Sequence, residues 1–154
     1  PRKGMFVNNI SIKEINDVFQ VRSNLEPIIL EMAFERLEKN ILEDLRIEFS
    51  TFLDKKELSS DDNTRLDYLD NQFHLFILKN CNNNFIIKMM ENVYEHNMRI
   101  RNLSIQPKKR RITATNEHIR IIEAILEGNF QKAVKELKLH NSKAKEGFFN
   151  SFIE

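Results

Sequence analysis

Cysteine is almost absent. Cys81 is the single one in 154 residues, so no internal disulfide can form. A lone thiol suits a reducing, cytoplasmic setting. A chain of this length reads as one domain and buries a core without covalent staples. Tryptophan is missing, and 3 glycines and 3 prolines supply too little turn chemistry for a fold of many short strands. No apolar run approaches the ~20 residues that cross a bilayer, and no signal-peptide pattern opens the chain. No membrane partner is therefore expected. Excess charge is also missing: 24 Lys and Arg against 23 Asp and Glu give a net charge of +1. That offers no field to hold a nucleic acid by charge alone. The first residue is Pro1 and not Met, which suggests a trimmed or partial chain.

What is present is helical periodicity. Met5-Phe6-Val7 forms a short strand-like run, and Ser11 with Glu14 then reads as a capping box that opens a helix. Ile15, Val18, Phe19, Leu25, Ile28, Ile29 and Met32 follow at helical spacing. Pro27 falls inside this pattern and should kink or break it, since it lacks an N–H donor. Asn40 reads as the cap of a second helix carrying Leu42, Leu45, Phe49 and Phe52. A third runs from about Ser60 to Leu78, and the Asn-rich stretch Asn80 to Asn84 separates it from a fourth. Pro107 and the basic run Lys108 to Arg111 mark a connection or a helix start, read as solvated and given no DNA role. A fifth helix ends at Gly128, and Asn129 opens the sixth. Short connections imply antiparallel neighbours. The expectation is an all-α, antiparallel bundle of six helices, or seven if Pro27 or Pro107 splits one.

Four polar residues sit inside these apolar stripes. Asp70 and His74 are one turn apart among Leu66, Leu69, Phe73 and Ile77. His118 lies between Ala114 and Ile121, and His140 between Leu137 and Ala144. A buried carboxylate is costly unless it is paired or bound to a metal. One carboxylate with three imidazoles suits a divalent ion, with Zn, Ni and Mn foremost. The competing reading makes each a core histidine satisfied by a hydrogen bond, or a simple helical Asp–His pair. His96 flanks its stripe and reads as a surface or interface residue.

The same residues carry a family resemblance. Arg2 to Val7 looks like the last strand of the winged helix-turn-helix wing in GntR-type transcription regulators. Residues 11–154 resemble their FCD effector domain. Val21-Arg22, Leu25-Glu26 and Ala33 match its first helix, and Asp70-Asn71-Gln72-Phe73-His74 its Asp-x-x-Phe-His motif. Asn83, Glu117-His118, Gly128-Asn129 and Leu139-His140 follow in order; Asn84 and Asn129 depart from the usual Pro and Asp. The resemblance implies a remnant of the wing and linker over 1–10. It implies a divalent metal on Asp70, His74, His118 and His140, with a small carboxylate effector beside it. Arg22 matches a family arginine that can reach this cavity; Arg99 and Arg101 are further candidates for the effector. They are two apart on one helix, so at most one points inward. The resemblance also implies a homodimer built on the first and fourth helices; Phe19, Tyr94 and Met98 are candidate contacts, since the chain has more helical apolar surface than one inward stripe requires. Operator DNA would be read by an N-terminal domain outside this chain. The rival from another class is a metal-dependent enzyme acting on a small metabolite, disfavoured because no further inward Glu or His stands out as a general base.

Overall fold

A computed structural model describes residues 10–153; the strand-like run at Met5 to Val7 lies outside them. Six α-helices follow in order: α1 Ile12–Ala33, α2 Lys39–Ser50, α3 Ser60–Lys79, α4 Asn84–Leu103, α5 Lys108–Leu126 and α6 Phe130–Ile153, with a single 3-10 turn at Phe34–Arg36 after α1. No strand occurs among the described residues.

The helix ends follow from local chemistry. Ser11 Oγ accepts from Glu14 N at 3.0 Å, but the reciprocal half of the expected box is absent: the Glu14 carboxylate instead meets His96 at 3.1 Å. A complete capping box opens α3, between Ser59 and Asp62. Asn83 caps α4 through Phe85 N and Ile86 N. Asn40 does not cap α2, which begins one residue before it, after Glu38. Gly128 adopts φ 71°, which lets Asn129 N reach Ala124 O and Gly128 N reach Ile125 O, both at 2.9 Å. That is a Schellman stop for α5, and Asn129 Oδ1 then accepts from Lys132 N to start α6. Pro27 does not end α1, which runs through it.

The helices enclose two apolar clusters. The larger takes Ile29, Leu30 and Ala33 from α1, Met90 and Tyr94 from α4, Ala133 and Leu137 from α6, and most buried positions of α2, α3 and α5. The smaller joins Ile15, Val18 and Phe19 to Ile100, Ala144 and Phe148. Between them, at one level, lie buried polar side chains: Arg22 and Glu26 on α1, Asn97 on α4, His140 and Asn141 on α6. One stripe position turns outward, contrary to the periodicity: Ile28 is about half exposed, as is Met89 on α4. An apolar stripe wide enough to cover a helix's core face also includes flanking residues that nothing covers.

Candidate metal centre

α3, α5 and α6 each aim side chains at the polar layer. Asp70 and His74 stand one turn apart on α3, because residues at i and i+4 project from the same face. His118 comes from α5 and His140 from α6. All four are buried, and one ligand-type atom from each lies within 4.8 Å of the others. The rings of His118 and His140 are 4.3 Å apart at their centroids, and His74 is 5.5 Å from each.

The contacts inside this set are poor as hydrogen bonds. His118 Nε2 is 2.9 Å from Asp70 Oδ1, yet neither ring nitrogen of His118 has a hydrogen-bond partner. The distance is short, but the geometry does not meet that of a hydrogen bond. His74 Nε2 lies 4.0 Å from the same oxygen. A buried, unsatisfied imidazole nitrogen costs about 1–3 kcal/mol, and a shared electrophile at the meeting point would satisfy the Nε2 of His118 that faces Asp70. One carboxylate and three imidazoles form a suitable donor set for a divalent ion.

The electrostatics prepare these donors. Burial pushes His74 down to about 4 against the pull of Glu26. His140 is held well below the usual histidine value by burial and by the neighbouring His118 and His74. Both are neutral at neutral pH, the form that coordinates. Burial alone would raise Asp70, but Arg101 and His118 outweigh it and keep the carboxyl ionised.

Around the centre stands a second layer of polar groups. His140 Nδ1 is 2.8 Å from Glu117 Oε2, leaving Nε2 on the other side of the ring. Arg110 grips Glu117 through two contacts, at 3.0 and 3.1 Å. On the α1 side, Arg22 is 1% exposed. It donates Nε to Glu26 at 2.8 Å and further N–H groups to Asn97 at 2.9 Å and Asn141 at 3.2 Å. Its third nitrogen also lies 3.4 Å from His74 Nε2. Burial opposes the charge on Arg22, but Glu26 more than restores it. Glu26 in turn is brought down to about 2 by Arg22 and His74, which outweigh its own burial.

A cavity of about 60 Å³ adjoins Asp70, His118 and His140. On a scale where ~10–15 Å³ admits one water, it holds several. Arg101, Arg110, Arg111, Gln106 and Thr115 give it polar walls, and Phe49, Leu66, Ala144 and Phe148 apolar ones.

The candidate effector residues therefore separate. Arg101 lines the cavity and pairs with Asp70. Arg22 is buried beside His74, outside the cavity wall. Arg99 turns away: it meets Glu14 at 3.5 Å and lines a different, outer groove between α3 and α4. Arg110 and Arg111 belong to the basic run read as solvated, yet both are mostly buried against the cavity. Glu26 and Glu117 also face inward, two acids that sequence reasoning did not single out. Their signal was in the sequence, since Glu26 shares the stripe of Ile15, Phe19 and Ile29.

Comparison with known proteins places this geometry. No curated protein sequence matches the chain significantly. Among solved structures, the metal-free FCD domain of TM0439, a proposed transcriptional regulator, is similar with a TM-score of 0.79 at 21% identity, over 94% of this chain and 98% of that one. The Zn2+-bound FCD domain of the same protein is similar with a TM-score of 0.75 at 20% identity, over 94% and 97%. At such identity the likeness speaks for the fold. The model of the FCD domain family matches residues 17–143, and the chain belongs to that family.

Proposed function

We infer that this is the ligand-sensing and dimerisation domain of a bacterial GntR-type transcription regulator. Residues 11–154 are assigned to the sensor, and residues 1–10, nearly all outside the described residues, to a wing and linker. Asp70, His74, His118 and His140 hold one divalent ion, with Zn, Ni and Mn foremost. A small carboxylate in the adjoining cavity completes its coordination and pairs with Arg101, Arg110 and Arg111, with Arg22 placed behind His74. Effector binding shifts the helices and alters DNA binding by an N-terminal domain outside this chain. A cytoplasmic location goes with this reading, and no helix among the described residues is long and apolar enough to cross a membrane.

One observation carries the reading: four buried donors from three helices converge, and His118 finds no hydrogen-bond partner there. FCD domains are regulatory modules, which disfavours the enzyme. The chemistry agrees. The two extra buried carboxylates are already committed, Glu26 to Arg22 and Asn141, and Glu117 to Arg110 and His140. Neither is free to serve as a general base. The domain acts as a homodimer through α1 and α4. Phe19 and Tyr94 are buried inside the protomer, Met98 is half-buried, and α4 instead exposes Phe85, Met89 and Leu103.

Titration of the chelator-treated protein with Zn2+, followed by calorimetry and thermal melting, tests the metal. At 100-fold excess over Kd, binding adds about 2.7 kcal/mol, a rise of roughly 5–11 °C for a domain of this size. His118→Ala and His140→Ala should each abolish most of that rise, and His96→Ala should keep it. Equal metal content in the wild type and the His118→Ala, His140→Ala double variant would overturn the assignment.

A further inference from the structure

Glu117 is one of two inward acids, with Glu26, that ligate nothing in the reading above. It follows Thr115 and precedes His118 on α5, and it is 1% exposed. Successive helical residues point about 100° apart. While His118 aims at the centre, Glu117 is therefore free to reach sideways to α6. Its carboxylate gathers three partners: His140 Nδ1 at 2.8 Å and Lys143 Nζ at 3.8 Å from α6, and both terminal nitrogens of Arg110 from its own helix.

The packing makes room for this arrangement. Gly147 lies on α6 beneath the Arg110 side chain. A Cβ there would stand 3.2 Å from Arg110 Nε and 3.1 Å from Gln106 Oε1, closer than such atoms comfortably sit. The missing side chain lets Arg110 cross α6 and still hold Glu117.

We propose that Glu117, held by Arg110 across Gly147, is the positioning residue that fixes His140 with its proton on Nδ1 and its Nε2 lone pair aimed at Asp70, His74 and His118. The proposal rests on the metal reading above. A neutral imidazole carries one N–H and one lone pair, and an acceptor at one nitrogen decides which is which. Glu117 already accepts from the Arg110 guanidinium through both oxygens, and its oxygen facing His140 acts as an acceptor, so it selects the Nδ1–H form. It also stops the ring from rotating and raises the basicity of the opposite nitrogen. Arg110 supplies the charge that keeps Glu117 in place. Because Arg110 also lines the cavity, the element that orients His140 borders the site proposed for the anion.

The experiment reads the tautomer first, in metal-free protein, from the 15N shifts of His140. The wild type should show Nδ1–H, and Glu117→Ala a mixture or the other tautomer. Glu117→Gln should retain Nδ1–H, since its side-chain oxygen still accepts; it also guards against a failure of the alanine variant to fold. Zn2+ affinity should then fall about 10- to 100-fold in Glu117→Ala, with Glu117→Gln between it and the wild type. A role confined to the Arg110 salt bridge would leave the His140 tautomer unchanged. An Nε2–H tautomer in the wild type, or a tautomer unaltered in Glu117→Ala, overturns the proposal. So does a Zn2+ Kd within twofold of the wild type in Glu117→Ala. A wild type that binds no metal strikes at the functional reading instead, and the tautomer measurement still decides the role of Glu117.

Discussion

Replacing Arg22 with methionine would test what holds the polar layer together. The methionine stem fills much of the arginine's space and brings no charge. Glu26 would remain, 3% exposed, with neutral donors in place of the guanidinium: Asn141 Nδ2 at 2.7 Å and the Tyr94 hydroxyl. Breaking a buried ion pair from one side costs about 3–5 kcal/mol, since the abandoned charge stays in the low-dielectric interior. At roughly 2–4 °C per kcal/mol for a domain of this size, the melting temperature should fall by about 6–20 °C. Adding Glu26→Gln removes the orphaned charge, so the double variant should recover more than half of the loss. Thermal unfolding in chelator at pH 7, arranged as a double-mutant cycle, measures this. A pH series adds an independent sign. In the wild type Glu26 sits at about 2 against 4.5 when unfolded, so the unfolded chain binds the proton first and stability is lost as pH falls from 4.5 to 2. Without Arg22, burial raises Glu26 above 4.5, and that contribution reverses. A loss of less than about 2 °C in Arg22→Met, or a double variant no more stable than the single, would refute the reasoning.

The metal-free domain should also weaken in a higher pH window. His74 is depressed from 6.5 to about 4, so the unfolded chain protonates first, and stability present above pH 6.5 is lost toward pH 4. At about 1.4 kcal/mol per unit this amounts to about 3 kcal/mol, with His140 acting in the same direction; urea melts in chelator that stay flat across the window would contradict it. Gly128→Ala should cost about 1–2 kcal/mol in the same melts, because the left-handed φ of 71° is strained for any Cβ while nothing crowds the position. Arg111→Gln leaves the Arg101–Asp70 contact in place and removes one cation from the cavity wall. Acetate binding to the metal-loaded protein should weaken about tenfold or more, the scale of one charge-assisted bond, with Zn2+ affinity unchanged, as calorimetry would show.

The helices and the four convergent donors were legible because both depend on a 3.6-residue period. Asp70, His74, His118 and His140 each interrupt an apolar stripe in register. Arg22, Glu26, Asn97 and Asn141 interrupt theirs in the same way. The stripe Ile15, Phe19, Arg22, Glu26, Ile29 has one charge of each sign four apart, which is the pattern of an internal ion pair. What the pattern could not supply was partnership between helices. Arg110 and Arg111 look solvated because they open a helix next to Pro107, and only the approach of α3 and α6 buries them. The Asn40 cap failed for a local reason. Leu37 and Glu38 are extended between the 3-10 turn and α2, and the helix opens at Lys39, so the first helical residue falls before the best capping side chain.

The layered arrangement bears on how such a site could signal. The proposed ligands stand on α3, α5 and α6, and α1 and α4 contribute none. α4 meets the centre directly where Arg101 pairs with Asp70, and α1 reaches it through Arg22, whose guanidinium touches Asn97 on α4, Asn141 on α6 and His74 Nε2 on α3. A nitrogen lone pair serves one partner at a time. If His74 Nε2 turns to a metal, the contact with Arg22 is surrendered, and that N–H must find another acceptor. A carboxylate bound to the ion would offer one; water would offer a weaker one. The state of the centre would then be felt on α1 as a change in one buried, charge-assisted bond, worth about 1.5–3 kcal/mol. That lies within the usual range of coupling energies between linked sites. The coupling needs differential contact in two states and no long-range wire, and a polar layer between two apolar clusters is where this fold provides it.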